Sequence, residues 1–134
     1  MIECREYLDS DLDIVNEILE EAFKGKKDNF NYDNITEIVA LKDGIVCGYL
    51  MLTKIVNPIK KRFYYLVDYV CVSSKYRGMG VSDELMNYAY EYAKEKGAMY
   101  LQLTCSYTRV AAHKLYERCG YIKRESDIYR RVIE

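Results

Sequence analysis

The apolar residues have different spacings in different segments of the chain, and these spacings predict its helices and strands. Apolar residues recur every three or four positions in three segments, which predicts amphipathic helices at 12–23, 81–96 and 109–119. Runs rich in β-branched and aromatic residues predict strands at 2–7, 36–42, 45–55, 63–72, 98–104, 121–123 and 127–132. Asp43-Gly44, between two of these runs, is typical of a tight hairpin turn. This order of elements predicts a mixed α/β fold, with helices on both faces of a central sheet.

Composition narrows the class of protein. The 134 residues predict a single domain, 1–134, because half of them are apolar and no linker or repeat interrupts the chain. The formal net charge of −1 argues against a nucleic-acid partner, and no apolar run is long enough to cross a membrane. Five cysteines without a Cys-x-x-Cys pair, and a first stretch without an apolar signal region, predict a reduced, cytoplasmic protein. A single histidine argues against a histidine-based metal site.

One stretch, a strand followed by a glycine-bearing turn and a helix, has the pattern of an anion site. The turn at 73–80 places Arg77, Gly78 and Gly80 directly before the predicted helix. The first backbone N–H groups of a helix have no partner within it, and glycine lets an anion approach them closely. No Gly-Lys-Ser/Thr follows, so this is not a Walker A loop, and Asp83 stands where a dinucleotide fingerprint needs glycine. The alternative is a tight turn with a surface arginine.

A six-residue segment at this turn resembles the acyl-CoA pyrophosphate loop of the GNAT superfamily of N-acyltransferases. The family pattern is Gln/Arg-x-x-Gly-x-Gly/Ala, and the segment reads Arg77-Gly78-Met79-Gly80-Val81-Ser82. Arg77 and Gly80 match the first and fourth positions, whereas Ser82 stands where glycine or alanine is usual. Since serine is small, the phosphate can still approach closely. The resemblance implies that these six residues bind the pyrophosphate of the co-substrate.

A second segment resembles the other hallmark of the GNAT family, Asn/Arg-x-x-Ala-x-x-x-Tyr-x-x-x-Gly-Phe/Tyr. The positions that match it are Arg109, Ala112, Tyr116, Gly120 and Tyr121. Two motifs in this order are far more specific than either alone. The first helix and the Asp-Gly hairpin also fall where the family has them, so the resemblance extends over the whole chain.

The resemblance implies a fold, a co-substrate and a reaction. The sheet is expected to be mostly antiparallel with about seven strands, and to splay between the fourth and fifth. The pantetheine arm of acetyl-CoA is expected to lie in that gap, on the backbone of Val70, Cys71 and Val72, with Arg109 and Ala112 also at the co-substrate. The implied activity is that of an acyltransferase (EC 2.3.1.-) that moves an acetyl group to a primary amine by direct attack in a ternary complex, without a metal.

Other functions remain open at this point. One is a GNAT fold that binds acyl-CoA without transferring the acyl group, as a sensor or regulatory protein. Another is a phosphate-binding α/β domain outside the family. A homodimer joined through the closing strands is expected only by analogy with the fold.

Two side chains are candidates for proton transfer. The resemblance implies that Tyr116 is the general acid that protonates the departing thiolate, whereas spacing alone makes it a core aromatic residue. Asp68 is the only carboxylate inside its predicted strand, where a charge is costly unless it is paired or used, so it is the candidate base. The rival is a salt bridge at Asp68 with water relaying the proton. His113 is expected at the surface or at the rim of the CoA site, and an acyl-enzyme at Cys71 or Cys105 is disfavoured because the family transfers directly.

The acceptor is the least determined part of the reaction. Aromatic residues that could line a pocket predict an aromatic wall, and they are Phe23, Phe30, Tyr32, Tyr64 and Tyr65. Aromatic faces attract cations, so such a wall suits a small-molecule amine as well as a peptide amine.

Overall fold

A computed structural model describes the whole chain, residues 1–134. It contains five strands and three helices, which are β1 (Ile2–Glu6), α1 (Leu12–Phe23), β2 (Ile35–Lys42), β3 (Ile45–Asn57), β4 (Arg62–Val72), α2 (Val81–Lys96), β5 (Leu101–Gln102) and α3 (Val110–Arg118). The chain divides into two compact units, Met1–Thr104 and Cys105–Glu134. The first unit holds the sheet with α1 and α2, and the second holds α3.

The five strands form one sheet in chain order. The first three pairings are antiparallel, and only β4 with β5 is parallel. This arrangement confirms the predicted mixed, mostly antiparallel sheet. A cluster of buried side chains joins α1 to one face of the sheet, and its members are Val15, Ile18, Leu19, Val39, Val46, Tyr49 and Cys71.

A glycine in β3 sets the position of α2 on the opposite face. A Cβ atom added at Gly48 would lie 2.8 Å from Cγ1 of Val81 and 2.9 Å from Cδ1 of Leu85, both of which are buried. Real Cβ atoms do not approach carbon atoms so closely, so the helix can rest on β3 only because this residue has no side chain. Val81 is the first residue of α2, and Gly48 therefore fixes the place where the helix begins.

An ion pair fixes the start of α1 beside β1. The guanidinium group of Arg5 donates to both carboxylate oxygens of Asp11, at 2.7 and 3.0 Å, and the N–H of Leu8 donates to the same group at 2.8 Å. Because these bonds favour the ionised carboxylate, they hold the pKa of Asp11 below its ordinary value. The helix thus has a defined position on the sheet, which matters because it also contacts the candidate site.

The structure departs from the predicted strands toward the end of the chain. No strand forms at 121–123 or 127–132, so the sheet has five strands rather than about seven. A strand needs a neighbouring strand for its backbone hydrogen bonds, and residues 122–134 are exposed throughout. The strand predicted at 98–104 shortens to two residues, because only Tyr65 and Leu66 of β4 pair with it.

Candidate active site

The pairing of β4 with β5 ends after two residues and leaves an open edge. Tyr65 pairs with Leu101 and Leu66 with Gln102, and no later residue of β4 has a strand partner on this side. The backbone of residues 70–72 therefore lies on an edge whose N–H and C=O groups are available for another chain or a ligand. The predicted separation of the fourth and fifth strands is confirmed.

A β-bulge interrupts β4 just before this open edge. Between the pairings with Tyr49 and Met51 of β3, β4 has one more residue than its partner, at Tyr69–Val70. Tyr69 has a φ of 57°, in the left-handed region that non-glycine residues seldom adopt. Its ring meets the edge of Phe23 at the end of α1, with centroids 5.2 Å apart. Strained backbone held by a side-chain contact is typical of functional sites.

β4 leads into the predicted phosphate loop through a short 3₁₀ turn, Ser74–Tyr76. Gly78 and Gly80 have φ angles of 78° and 82°, and a Cβ added at either would meet no atom within 4 Å. The first hydrogen bond of α2 runs from the N–H of Glu84 to the carbonyl oxygen of Gly80, at 3.1 Å. The helix itself provides no acceptor for the N–H groups before it. The loop therefore has the open space and the backbone donors that an anion needs.

Some side chains of the loop are exposed to solvent, and others pack against the sheet. Arg77 and Met79 are exposed, and 62% of the Arg77 side chain is accessible. Val81 is buried against β3, and Ser82 is half-buried. The guanidinium group of Arg77 is the one cationic side chain among residues 77–82, and a phosphate could reach it directly.

A carboxylate of α1 holds the beginning of the loop. Oε1 of Glu21 accepts the backbone N–H of Ser74, and Oε2 accepts the Ser74 hydroxyl, both at 2.7 Å. Oε1 of Glu21 also lies 3.9 Å from Nη2 of Arg77. The helical pattern predicts only that Glu21 lies off the apolar face of α1. Sequence reasoning missed this contact because the two residues are 53 positions apart.

Asp68 lies in β4 opposite Met51, immediately before the bulge. Its side chain is exposed, so the expectation that burial makes its charge costly is wrong. Asp68 remains a candidate base because of its place beside the bulge and the open edge.

In the second unit, the residues of the second motif lie on α3 and in the turn after it. Arg109 precedes the first residue of the helix and is exposed, whereas Ala112 and Tyr116 are half-buried on one face. Gly120 has a φ of 89°, which allows the chain to turn back. The N–H of Tyr121 then donates to the carbonyl oxygen of Tyr116 at 2.9 Å. This bond fixes the end of the helix next to the candidate acid.

The phenol of Tyr116 is held in its protonated form. Burial raises its pKa, the nearby Cys105 raises it further, and Arg109 partly opposes them. The ring also lies 6.0 Å from the ring of Tyr121. A tyrosine with a raised pKa carries its proton at neutral pH, which a proton donor requires.

The sequence agrees with one known family over most of its length. The sequence model of the acetyltransferase (GNAT) family matches residues 3–121, a range that includes the open edge, the loop and α3. The chain belongs to the GNAT acetyltransferase family. An uncharacterized N-acetyltransferase of Methanocaldococcus jannaschii is 30% identical over 70 residues. That match covers 52% of this chain and 31% of the relative, so the aligned part spans about a third of the relative's length.

Solved structures share the GNAT fold over nearly the whole chain. A transcriptional regulator from Bacillus halodurans C-125 is 22% identical with a TM-score of 0.84, and the match covers 98% of this chain and 100% of that one. A ribosomal-protein-alanine N-acetyltransferase from Brucella melitensis biovar Abortus 2308 is 19% identical, with a TM-score of 0.79 and coverage of 99% and 98%. The aminoglycoside acetyltransferase HMB0005 from an uncultured soil metagenomic sample is 15% identical, with a TM-score of 0.84 and coverage of 100% of this chain and 99% of that one. At these identities the likeness is one of fold.

The connector between α1 and β2 of this GNAT domain is fastened to the sheet by a lysine. Nζ of Lys27 lies 3.1 Å from Oε1 of Glu37, 4.2 Å from the ring centroid of Tyr7 and 4.8 Å from that of Phe30. The hydroxyl of Tyr49 donates to the same Glu37 oxygen at 2.6 Å. An ammonium group between a carboxylate and two aromatic faces is well stabilised. The wall expected to face the acceptor is therefore held in place, although it has no regular secondary structure.

The predicted aromatic wall is only partly assembled. Phe30 and Tyr32 lie together in the connector, with ring centroids 5.4 Å apart. Tyr64 and Tyr65 do not form a pair, because successive residues of a strand point to opposite faces. Tyr65 is buried, and Tyr64 stacks on Tyr100 at 4.8 Å. The prediction that Tyr65 lines the acceptor pocket is therefore wrong.

One of the two cysteines considered as an acyl-carrying nucleophile, Cys71, is buried in this GNAT domain. None of the five cysteines forms a disulfide bond. Burial raises the pKa of Cys71 to about 12, so its thiol is not a nucleophile at neutral pH. Nε2 of His113 donates to the carbonyl oxygen of Ser106 at 2.8 Å. No three metal-binding side chains come together, and none of the helices has the length and apolar character to span a bilayer.

Proposed function

We propose that this protein transfers an acetyl group from acetyl-CoA to a primary amine. The observation that carries the proposal is the sequence of features along one stretch of chain: an open strand edge at 70–72, then the glycine loop, then the first turn of α2. A pantetheine arm carries amide groups that can hydrogen-bond to a strand edge. A pyrophosphate needs backbone donors at a helix N-terminus. Residues 70–72 and the glycine loop follow one another along the chain, and they meet these two requirements in the order in which pantetheine and pyrophosphate occur in coenzyme A.

The loop supports the phosphate end of the co-substrate in two ways. The positive φ angles and empty surroundings of Gly78 and Gly80 leave room for phosphate oxygens next to the backbone. Arg77 adds a guanidinium fork that is mostly exposed and can bind two oxygens at once. We assign the pyrophosphate to residues 77–82, with Arg109 and Ala112 as further contacts from the second GNAT motif.

The proposed reaction is a direct attack of the amine nitrogen on the thioester carbonyl. An alkylammonium group has a pKa of about 10.4, so only about one molecule in a thousand or fewer is neutral at pH 7. Asp68 takes the excess proton, directly or through water. The new C–N bond forms, the C–S bond breaks, and Tyr116 gives its proton to the departing thiolate. The nitrogen then releases its second proton, which water carries to Tyr116 to restore the phenol, and the proton on Asp68 leaves to solvent. With its pKa raised by burial, Tyr116 carries its proton at neutral pH before each turnover, as an exposed tyrosine also would.

The proposed acceptor is an amine on a small molecule, with a peptide amine as the second class. Two fold neighbours with named acceptors represent both classes, one an aminoglycoside acetyltransferase and the other a ribosomal-protein-alanine N-acetyltransferase. The connector with Phe30 and Tyr32 supports recognition of a cation, since aromatic faces attract ammonium groups.

Thermal unfolding with and without acetyl-CoA tests the donor assignment. Binding to the native state stabilises it by about 2.7 kcal/mol at a hundredfold excess over Kd, so the unfolding temperature should rise. The rise should be lost in Arg77→Ala and in Gly80→Val. Gly44→Val is the matched control, because Gly44 has a similar φ of 79° and equally open surroundings but lies in the β2–β3 hairpin.

Release of free thiol with a panel of amines then tests the transfer. The panel should include aminoglycosides, simple diamines and a peptide with a free N-terminal amine. Thiol release with at least one amine is expected. Absence of any thermal shift at millimolar acetyl-CoA would overturn the donor assignment. Binding without thiol release from any amine would instead indicate an acyl-CoA sensor.

A further inference from the structure

We infer that Glu21 is a positioning residue for the co-substrate, because it holds the phosphate loop in its binding conformation. Glu21 lies on α1, outside both GNAT motifs, and it touches the loop rather than the site of acyl transfer. The inference rests on the proposed function, since it assumes that the loop binds the pyrophosphate of acetyl-CoA.

The loop is fastened at its first two residues, from two different elements. The N–H of Ser73 donates to the carbonyl oxygen of Cys47 in β3, at 2.8 Å. The N–H and hydroxyl of Ser74 both donate to the carboxylate of Glu21, at 2.7 Å each. Hydrogen bonds to a charged acceptor are stronger than those between neutral groups. Within the loop, the N–H of Tyr76 donates to the carbonyl oxygen of Ser73 at 2.9 Å, so the bonds to Glu21 are those that tie residues 74–80 to α1.

The same carboxylate also guides the arginine of the loop. Nη2 of Arg77 lies 3.9 Å from Oε1 of Glu21, which is longer than the two bonds to Ser74. The hydroxyl and N–H of Ser74, and then Arg77, lower the pKa of Glu21, so the carboxylate stays ionised. Arg77 is thus drawn toward one side of the loop while most of its guanidinium group stays in solvent. A preformed loop loses less conformational entropy when the phosphate binds.

A negative charge beside a phosphate site also repels the ligand, so the two effects must be compared. The bonds from Glu21 to Ser74 are short and directed, whereas the repulsion acts between exposed groups that salt screens. We therefore expect the ordering effect to dominate. Removal of the carboxylate should weaken acetyl-CoA binding rather than strengthen it.

The test compares two donors that differ in their phosphate groups. Acetyl-CoA reaches the loop, whereas S-acetylpantetheine has no phosphate and should bind only along β4. Dissociation constants of both ligands are measured by NMR titration of wild type, Glu21→Ala, Ser74→Ala and the double variant. Glu20→Ala is the matched control, since Glu20 is an exposed glutamate of the same helix whose side chain has no contact with the loop.

Glu21→Ala should weaken acetyl-CoA binding about tenfold, since two charge-assisted hydrogen bonds that order the loop are lost. Binding of S-acetylpantetheine should change less than twofold, roughly the scatter expected of surface substitutions. Ser74→Ala should have a smaller effect, and it should add nothing in the Glu21→Ala background because both act through one contact.

The other outcomes separate this inference from the proposed function. If Glu21→Ala binds acetyl-CoA as well as or better than wild type, the positioning role is wrong. Equal loss for both donors would indicate a general structural role and would also overturn it. If wild type fails to bind acetyl-CoA at all, the proposed donor is wrong, and the inference falls with it.

Discussion

Tyr116 is a side chain whose ionisation bears directly on the proposed chemistry. Its pKa is raised by burial, so the protonated form persists to higher pH than in an exposed tyrosine. A free tyrosine loses its proton near pH 10, and the activity of wild type should therefore show no loss from Tyr116 below about pH 10. Replacement by phenylalanine keeps the ring and removes the proton.

Tyr116→Phe should lower kcat about a hundredfold at pH 7.5, within the usual range for general acid catalysis. The KM for acetyl-CoA should change little, because the hydroxyl is assigned to the departing thiolate. Steady-state kinetics between pH 6 and 10 measure both quantities. Tyr129→Phe is the matched control, since Tyr129 is 91% exposed. Unchanged kcat in Tyr116→Phe would show that the tyrosine serves only in packing.

Among the secondary-structure elements, the sequence predicts best those whose pattern lies within one continuous segment. The bounds of α1 and α2 agree with the predicted segments, because each segment contains its own repeating apolar face. Gly97, with a φ of 83°, ends α2. The glycine loop is likewise a continuous run of residues. The sequence predicts more and longer strands after α2 than the structure contains. Residues with a high β-propensity favour a strand, but whether one forms depends on a partner strand elsewhere in the chain.

The candidate site also contains parts that the sequence predicts and parts that it does not. The loop at 77–82 and Tyr116 follow from short motifs, whereas Glu21 and Lys27 act through contacts that no local pattern contains. The exposure of Asp68 has the same origin, since the side chains that cover a sheet face come from distant parts of the chain. Residues that hold a motif in place are therefore harder to predict than the motif itself.

The contact of α2 with β3 links the stability of the fold to the geometry of the loop. Gly48→Ala would place a methyl group within 3 Å of side-chain atoms of Val81 and Leu85, at the beginning of α2, so these side chains must shift. Overpacking of this kind typically destabilises a protein by about 1–3 kcal/mol. Since the loop ends where α2 begins, acetyl-CoA binding should weaken as well.

Denaturant unfolding and acetyl-CoA titration of Gly48→Ala measure the two effects. Gly25→Ala is the control, because a Cβ there would come no closer than 3.9 Å to its nearest neighbour. That variant should be as stable as wild type or slightly more stable, since alanine restricts the unfolded chain. A Gly48→Ala protein with unchanged stability would contradict the assigned role of this close contact.

For the molecule as a whole, the two units differ in how much of their backbone is protected. The central strands of the first unit contain most of the fully buried side chains, among them Ile38, Leu50 and Leu52. In the second unit, residues 122–134 are exposed and have neither helix nor strand. Amide hydrogens exchange slowly only where hydrogen bonds must open together with a core.

Hydrogen exchange followed by mass spectrometry should therefore give a steep contrast in dilute solution. Peptides from β2, β3 and β4 should exchange most slowly, and peptides from 122–134 should exchange at the rate of an unstructured chain. Large apolar side chains in that last segment, such as Ile128 and Tyr129, are more than 70% exposed. If its protection instead rises with protein concentration, the segment pairs with a second copy of the chain. That result would contradict the exposure of residues 122–134 and support the homodimer expected from the fold.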